Sequence, residues 1–305
     1  MSNYPITQLP NYPITQLQNM TTKEKQPQYE RFRIGARIEH IILLVSFTVL
    51  AVTGLPQRYA QHELAQNMIW AMGGIETVRL IHRYAAFVLV LGSVYHLFTS
   101  AYRLYVRRER NRMMPDLKDA QDLVGYVKYN VGLQEERPKM RKFNFGEKLE
   151  FWAVVWGTAV MAITGFMLWN PIATTNVLPG AIIPAAKAAH SYEALLAVVS
   201  IVIWHFYNVM IKHWNPSMWT GKLPRHQMEE EHALELERLE SGETPWPQVP
   251  APILRRRRII FTVTSVIVGS IILAVLVWAF TFEETALITV VPTREVFVPL
   301  ATAVP

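Results

Sequence analysis

The sequence predicts an all-α membrane protein: a four-helix transmembrane bundle made of a duplicated helical hairpin, with a fifth transmembrane helix added. Hydrophobic residues make up 51% of the 305 residues. Five apolar stretches are long enough, or nearly so, to cross a bilayer with some tilt. The first four stretches form two similar pairs, which indicates the duplication.

The five predicted spans succeed one another with polar loops between them. They are Ile38–Leu55, Leu80–Tyr102, Leu149–Trp169, Ala185–Ile211 and Ile259–Phe280. The first contains Ser46, Thr48 and Thr53, whose hydroxyls can bond within a helix and do not prevent insertion. The fifth is preceded by Arg255–Arg258, and a basic run directly before an apolar span indicates a membrane anchor. We therefore expect a lipid bilayer as partner and no nucleic acid.

The two hairpins share residues at matching positions. A basic residue opens the first helix of each hairpin, and the glycine of a Thr-Gly pair comes seventeen residues later. In the order first hairpin and second hairpin, the matches are Arg37-x-x-His40 and Lys148-x-x-Phe151, Thr53-Gly54 and Thr164-Gly165, His82-x-Tyr84 and His190-x-Tyr192, and Tyr95-His96 and Trp204-His205. Gly54 and Gly165 of these pairs, together with Gly92, permit close approach of a helix or a flat macrocycle.

Lysine and arginine counts predict the orientation. The segment up to Arg37 carries five, Arg103–Lys148 twelve and Lys212–Arg258 eight, whereas the intervening loops and the C-terminal tail carry one each. Positive residues remain in the cytoplasm. We expect a multi-pass protein of a prokaryotic plasma membrane, with a cytoplasmic N-terminus and an extracytoplasmic C-terminus.

Four regions are expected along the chain. Residues 1–30 form a disordered arm that repeats an octapeptide (Asn3–Pro10 and Asn11–Gln18), so that the true start is expected at Met20. Residues 31–221 form the four-helix domain. Residues 222–257 form a cytoplasmic linker rich in acidic and basic residues, and its His232 is expected to be solvated. Residues 258–305 hold the fifth helix and an extracytoplasmic tail.

Histidines inside the apolar spans are the candidate functional residues. His82 and His96 lie fourteen residues apart, and His190 and His205 fifteen apart. These spacings correspond to about 21 and 22 Å along a helix and to nearly whole turns, so each pair shares one helix face. His40 opens the first span. Imidazoles from facing helices at two depths can ligate two haem irons axially. The alternative is a purely structural role, in which the histidines form hydrogen bonds within the helix bundle.

Other residue types narrow the chemistry. The chain has no cysteine, which excludes iron–sulfur clusters and covalently attached haem in this chain. The apolar spans hold few carboxylates, namely Glu39, Glu150 and Glu193, which makes a metal-ion transporter a poor alternative. Arg37, Arg79 and Arg83 are candidates for binding haem propionates, because the guanidinium fork suits carboxylates; the alternative is a role as membrane-surface anchors.

The chain resembles the di-haem b-type cytochrome (gamma) subunit of membrane-bound formate dehydrogenases and nickel–iron hydrogenases. The resemblance covers about Arg31 to Gly221. It rests on Arg37-x-x-His40, Arg79-x-x-His82, the segment Lys142-Phe-Asn-x-Gly-Glu-Lys148 and the helix from His190 to His205. It implies a subunit that exchanges electrons between an extracytoplasmic iron–sulfur or multihaem cytochrome subunit, with its catalytic subunit, and menaquinone through two haems b.

The resemblance also implies roles for single residues. His82 and His190 would ligate the outer haem, His40 and His205 the inner haem, and Asn144 and Gly146 would contact the quinone. The chain departs from the family pattern in the extra His96, the fifth helix and one additional residue between His190 and His205, which a π-bulge can absorb.

The sequence leaves three alternatives open. Symmetry of the repeat favours His96 over His40 as the partner of His205, whereas the family pattern favours His40. Asn144 can instead cap the third helix, a role that asparagine fills well. The whole chain can instead be the cytochrome b of a quinol:cytochrome c oxidoreductase, although no outer quinol motif is recognised.

Overall fold

The computed structural model describes residues 27–243, 246 and 248–284. Five helices in this part of the chain are long and apolar enough to cross a membrane, which confirms the predicted fold class. They are Ile34–Arg58, Ile75–Val106, Phe145–Trp169, Ile182–Lys212 and Ala251–Thr281. The expected start at Met20 and the expected tail beyond residue 284 lie outside the described residues.

The shorter elements lie between these spans. In chain order the described helices are α1 (Ile34–Arg58), α2 (Glu63–Ala71), α3 (Ile75–Ala101), α4 (Leu117–Asn130), α5 (Phe145–Trp169), α6 (Pro171–Val177), α7 (Ile182–Ser200), α8 (Ser217–Thr220), α9 (Arg225–Glu231), α10 (Ala233–Glu240) and α11 (Ala251–Thr281). Two short strands, β1 (Gln28–Glu30) and β2 (Lys222–Pro224), pair in antiparallel register.

Two spans end in π-helical turns. Helix α3 continues as a π-helix over Tyr102–Val106, and α7 continues over Ile201–His205 and Tyr207–Lys212. A π-turn accommodates one extra residue in a helix and so rotates the residues after it, and such turns are frequent at functional sites. The turn that ends at His205 lies between His190 and His205, where the sequence has one additional residue.

The outer faces of the spans are apolar and exposed. Trp156 on α5 is 69% exposed and Leu196 on α7 is 60% exposed. No residue in the most apolar stretch of α11 is buried. Large contiguous apolar surface is rare on proteins in water and is expected where lipid surrounds the helices.

The chain divides into two compact units, each assembled from three stretches. Among the described residues, the first unit contains residues up to Leu44, Thr99–Trp152 and Trp204–Arg255, and the second contains Val45–Phe98, Ala153–Ile203 and the residues from Arg256 on. Each span contributes one part to each unit. His40 and His205 therefore belong to the first unit, and His82 and His190 to the second.

The first unit contains a small folded core beside its helix ends. Strand β1 pairs with β2, and Leu223, Met228 and Leu236 are almost completely buried with Tyr29 against them. This differs from the expected disordered arm at residues 28–30 and the expected linker after residue 221. The apolar residues of α9 and α10 form a short helical face that the surrounding glutamates obscure in the sequence.

In the second unit, the end of α11 contacts the first half of α3 and the end of α5. The Arg83 guanidinium stacks 3.1 Å from the Trp169 ring centre and donates a 3.0 Å hydrogen bond to the Phe280 carbonyl. The buried Asn170 side chain accepts a 2.8 Å bond from the Glu284 amide. These contacts attach the fifth helix to the bundle through charge-assisted and backbone bonds.

Candidate functional site

The first candidate pair lies in the second unit, between α3 and α7. The rings of His82 and His190 have their centres 6.4 Å apart and are inclined at 62°. Both side chains are half-buried. The two residues occupy equivalent positions in the repeat, which explains why their rings face each other.

A threonine fixes the orientation of each ring in this pair. Thr53 Oγ1 lies 2.8 Å from His82 Nδ1, and Thr164 Oγ1 lies 2.9 Å from His190 Nδ1. Each hydroxyl also donates a 2.6 Å bond to a carbonyl one turn earlier, on Val49 or Val160. Since the hydroxyl proton is used there, the oxygen accepts the Nδ1 proton, which leaves the Nε2 lone pair of each imidazole free.

The glycine after each threonine leaves room for the facing histidine. A Cβ atom at Gly54 would lie 3.0 Å from His82 Cε1, and one at Gly165 would lie 3.4 Å from His190 Cε1. The first distance is shorter than nine in ten real Cβ contacts. The duplicated Thr-Gly pair therefore provides both the hydrogen-bond acceptor and the space for the imidazole.

The second candidate pair lies in the first unit. His40, near the start of α1, and His205, at the end of a π-turn, have ring centres 6.3 Å apart at 35°. Glu150 Oε2 on α5 lies 2.9 Å from His205 Nδ1. The described ring contact of His205 is thus with His40. His96, the alternative partner, lies on α3 in the second unit.

Both separations fit two axial ligands of one metal. With metal–imidazole bonds of about 2.0–2.1 Å and roughly 1 Å from each coordinating nitrogen to its ring centre, two such ligands place their ring centres about 6 Å apart. The measured values are 6.3 and 6.4 Å. Within the described residues there is no cluster of three or more histidine, aspartate or glutamate side chains that could hold a metal ion. The donor set consists of imidazole pairs, which suits haem iron.

The three candidate arginines have partners within the protein. Arg37 donates to the carbonyl groups of Met218 and Trp219, at the end of α8. Arg79 forms a 2.9 Å ion pair with Glu76, one turn earlier in α3. Arg83 binds the carbonyl group of Phe280 at the end of α11.

Asn144 forms a reciprocal cap at the start of α5. Its Oδ1 accepts a 2.9 Å bond from the Glu147 amide, and Glu147 Oε2 accepts a 2.9 Å bond from the Asn144 amide. This is a capping box, which satisfies two backbone donors at once. A Cβ at Gly146 would lie 3.2 Å from Asn144 Oδ1 and 3.6 Å from the Trp204 ring. Asn144 therefore caps α5, and its side-chain nitrogen (Nδ2) is a further hydrogen-bond donor.

Two features of this region were not found from the sequence. Glu150 stood out only as a rare carboxylate in a span, and its contact with His205 depends on the π-turn. His232 was expected to be solvated but is completely buried, with its Nδ1 donating to the Arg141 carbonyl at 3.1 Å. Burial, with a smaller contribution from the charge of Arg31, lowers the pKa of His232 to about 4. The helical pattern around His232 is too short to reveal this burial.

Comparison with known proteins extends these observations. The chain is similar to the cytochrome b556(fdo) subunit of formate dehydrogenase from Escherichia coli K12, with 24% identity over 63% of this chain and 88% of the relative. It is also similar to the nitrate-inducible cytochrome b556(Fdn) subunit from the same strain, with 20% identity over 72% and 95%. A cytochrome b556 subunit from Haemophilus influenzae is 21% identical over 66% and 82%.

A family model covers most of the same region. The model described as prokaryotic cytochrome b561 matches residues 31–221, which is more than half of the chain. The match contains both histidine pairs. The chain therefore belongs to the prokaryotic cytochrome b561 family and is a multi-pass membrane cytochrome that transfers electrons with haem b.

Proposed function

We propose that this protein is the membrane-anchoring electron-transfer subunit of a respiratory oxidoreductase. It exchanges electrons between an extracytoplasmic partner subunit and the menaquinone pool. The observation that carries the proposal is the presence of two separate imidazole pairs, with ring centres 6.3 and 6.4 Å apart. Two pairs at axial-ligand distance support two haems b.

The ligand assignments derive from these pairs. His82 and His190 hold one haem b, and His40 and His205 hold the other. Bound haem b supplies reversible one-electron chemistry at its iron. Thr53, Thr164 and Glu150 accept the Nδ1 protons and so direct each Nε2 towards the iron.

Arginine is proposed to bind the propionates of the haem held by His82. Arg79 uses one guanidinium nitrogen on Glu76 and is about one third exposed, so it retains donors for a carboxylate. Arg83, which also flanks His82, already binds a backbone carbonyl and is a weaker candidate. The same holds for Arg37, the candidate for the haem held by His40 and His205.

The orientation of the chain is proposed from the distribution of positive charge. Twelve lysines and arginines in Arg103–Lys148 and eight in Lys212–Arg258 assign these segments to the cytoplasm. The pair His82/His190 is then the outer pair, and His40/His205 the inner pair.

The partner is proposed from the relatives and from the composition. The similar proteins are cytochrome subunits of formate dehydrogenases. This chain has no cysteine, so iron–sulfur clusters must belong to another subunit. We propose an extracytoplasmic iron–sulfur or multihaem cytochrome subunit with its catalytic subunit, as in a formate dehydrogenase.

Menaquinone is proposed to bind beside Asn144 and Gly146. The Asn144 Oδ1 atom is used in the cap, whereas the side-chain nitrogen Nδ2 can donate to a quinone carbonyl. Gly146 is buried beside Asn144 Oδ1 and the Trp204 ring, and a glycine is the residue that lets a ligand approach the backbone most closely.

Purification from native membranes tests the proposal. We expect an outward-facing iron–sulfur or multihaem subunit to co-purify, a reduced-minus-oxidised spectrum with a haem b α-band, and haem reduction by a menaquinol analogue. A protein that purifies alone and oxidises a soluble substrate contradicts the subunit role. The absence of reduction by quinol, with the α-band present, contradicts the quinone role alone.

A further inference from the structure

We propose that Glu150 is a positioning residue that holds His205 through Nδ1 and lowers the reduction potential of the iron bound by His40 and His205. The inference rests on the proposed function, because it assumes that these two histidines are axial ligands.

The contact between Glu150 and His205 is direct and partly buried. Glu150 Oε2 lies 2.9 Å from His205 Nδ1, and both side chains are about 30% exposed. Glu150 belongs to α5, within the part of the chain long and apolar enough to cross a membrane. A carboxylate in such a segment is costly unless it has a partner, and such residues commonly serve a site.

Ligation fixes the direction of this hydrogen bond. A neutral imidazole carries one proton, and when Nε2 binds iron that proton lies on Nδ1. Nδ1 therefore donates to Glu150. An acceptor at this position fixes the ring orientation and raises the basicity of the ligand. A more basic ligand stabilises ferric over ferrous iron, so the reduction potential becomes lower.

The other histidine pair provides an internal comparison. At His82 and His190, the Nδ1 acceptors are the neutral hydroxyls of Thr53 and Thr164. At His205 the acceptor is a carboxylate, and hydrogen bonds to charged groups are about twice as strong as neutral ones. The same chain thus carries two imidazole pairs whose ligand basicity differs because of the residue behind each ring.

The residue at the equivalent position of the first hairpin is also a glutamate. Glu39 and Glu150 occupy equivalent positions, in Arg37-Ile-Glu39 and Lys148-Leu-Glu150. Glu39 Oε1 accepts a 3.1 Å hydrogen bond from Thr99. Glu150 reaches His205 because the π-turn over Ile201–His205 rotates this histidine relative to a regular helix.

Potentiometric titration of the haem α-bands in the purified complex tests the proposal. Glu150→Gln keeps a hydrogen-bond acceptor and removes the charge. Glu150→Asp keeps the charge but shortens the side chain by one methylene, which moves the carboxylate away from His205 Nδ1. We expect both variants to raise the midpoint of one haem component. In the glutamine variant the equilibrium constant for reduction of that haem should increase at least tenfold, which corresponds to a rise of the midpoint potential by about 59 mV for one electron. The other component should not move.

A matched control removes a carboxylate elsewhere in a span. Glu193 on α7 packs against Gly157, with Oε1 2.7 Å from the position of an added Cβ, and among the described residues it has no contact with a histidine ring. Glu193→Gln should leave the midpoints of both haem components unchanged. Loss of one haem from both Glu150 variants, with two retained in Glu193→Gln, also supports a positioning role.

Three outcomes overturn the inference. In the first, the midpoint potentials of both Glu150 variants equal those of the wild type. In the second, the midpoints of both haem components shift equally. In the third, the midpoints of Glu150→Asp equal those of the wild type while one midpoint of Glu150→Gln shifts. The last outcome shows a field effect without a hydrogen bond. Failure of the proposed function looks different: the wild type then has fewer than two haems, or His205→Ala retains both.

Discussion

At the scale of single residues, the two members of the Thr-Gly pair have different tasks. The threonine hydroxyl determines which imidazole nitrogen carries the proton, and the glycine determines how closely the ring can approach α1 or α5. The sequence showed that the pair is duplicated and that its glycine permits a close approach, but not that a histidine ring is the group that approaches. That role depends on where two other helices place His82 and His190.

Replacement of Gly54 by alanine tests the space beside His82. The added Cβ would lie 3.0 Å from His82 Cε1, so the ring must move away from Thr53. We expect Gly54→Ala to lose or weaken the haem held by His82, as measured by haem content and the α-band. Gly35→Ala, in the same helix with nothing within 4 Å of its added Cβ, is the control. Equal haem content in the two variants would contradict this role for the glycine.

At the scale of one element, the start of α5 shows how a capping residue can also be a candidate for ligand binding. The capping box between Asn144 and Glu147 explains why the helix begins where it does. The sequence left capping and quinone binding as equal alternatives for Asn144. A capped helix is compatible with both, since the side-chain nitrogen of Asn144 (Nδ2) takes no part in the two bonds of the cap.

Two substitutions separate these roles of Asn144. Asn144→Ser keeps a good cap without the amide donor, whereas Asn144→Ala removes both and should cost about 1 kcal/mol of stability. We expect both variants to slow haem reoxidation by a menaquinone analogue with haem content intact, and only the alanine variant to unfold at a lower temperature. Normal reoxidation in Asn144→Ser would leave Asn144 with the cap alone.

The small core built by β1, β2, α9 and α10 should respond to pH through His232. Burial lowers the pKa of this histidine to about 4, below its ordinary value of 6.5. Protons therefore bind the unfolded segment more readily, so its stability is constant above pH 6.5 and falls as the pH decreases from 6.5 to 4. Limited proteolysis of residues 222–240 across this range measures the effect.

His232→Phe is the corresponding control, because it fills a similar volume and cannot be protonated. Its protease resistance should depend less on pH between 6.5 and 4 than that of the wild type. An unchanged pH profile in this variant would show that another group is responsible.

At the scale of the whole molecule, the sequence predicted the five spans and the repeat because hydrophobic length and spacing determine them. It missed the fold of residues 222–240, since Met228 and Leu236 bury only a small face among many charged residues. It could not locate the acceptor of the His205 proton. That contact arises from a π-turn, and one additional residue in the sequence does not reveal which way the helix rotates.

The proposed topology leads to a prediction for the two chain ends. Because positive residues remain in the cytoplasm, a fluorescent protein fused to the N-terminus should fold and fluoresce. Alkaline phosphatase fused after α11 should be active, since it requires an oxidising extracytoplasmic environment. The reverse pattern of the two reporters would invert the assignment of the inner and outer histidine pairs.

The number of haems per polypeptide tests the central claim most directly. A pyridine haemochrome assay on the purified complex, with partner haems subtracted, should give two haems b for this chain. The variants His82→Ala and His205→Ala should each retain one, because each removes a ligand from a different imidazole pair. A value of one in the wild type, or two in either variant, would contradict the assignment of two haems to these pairs.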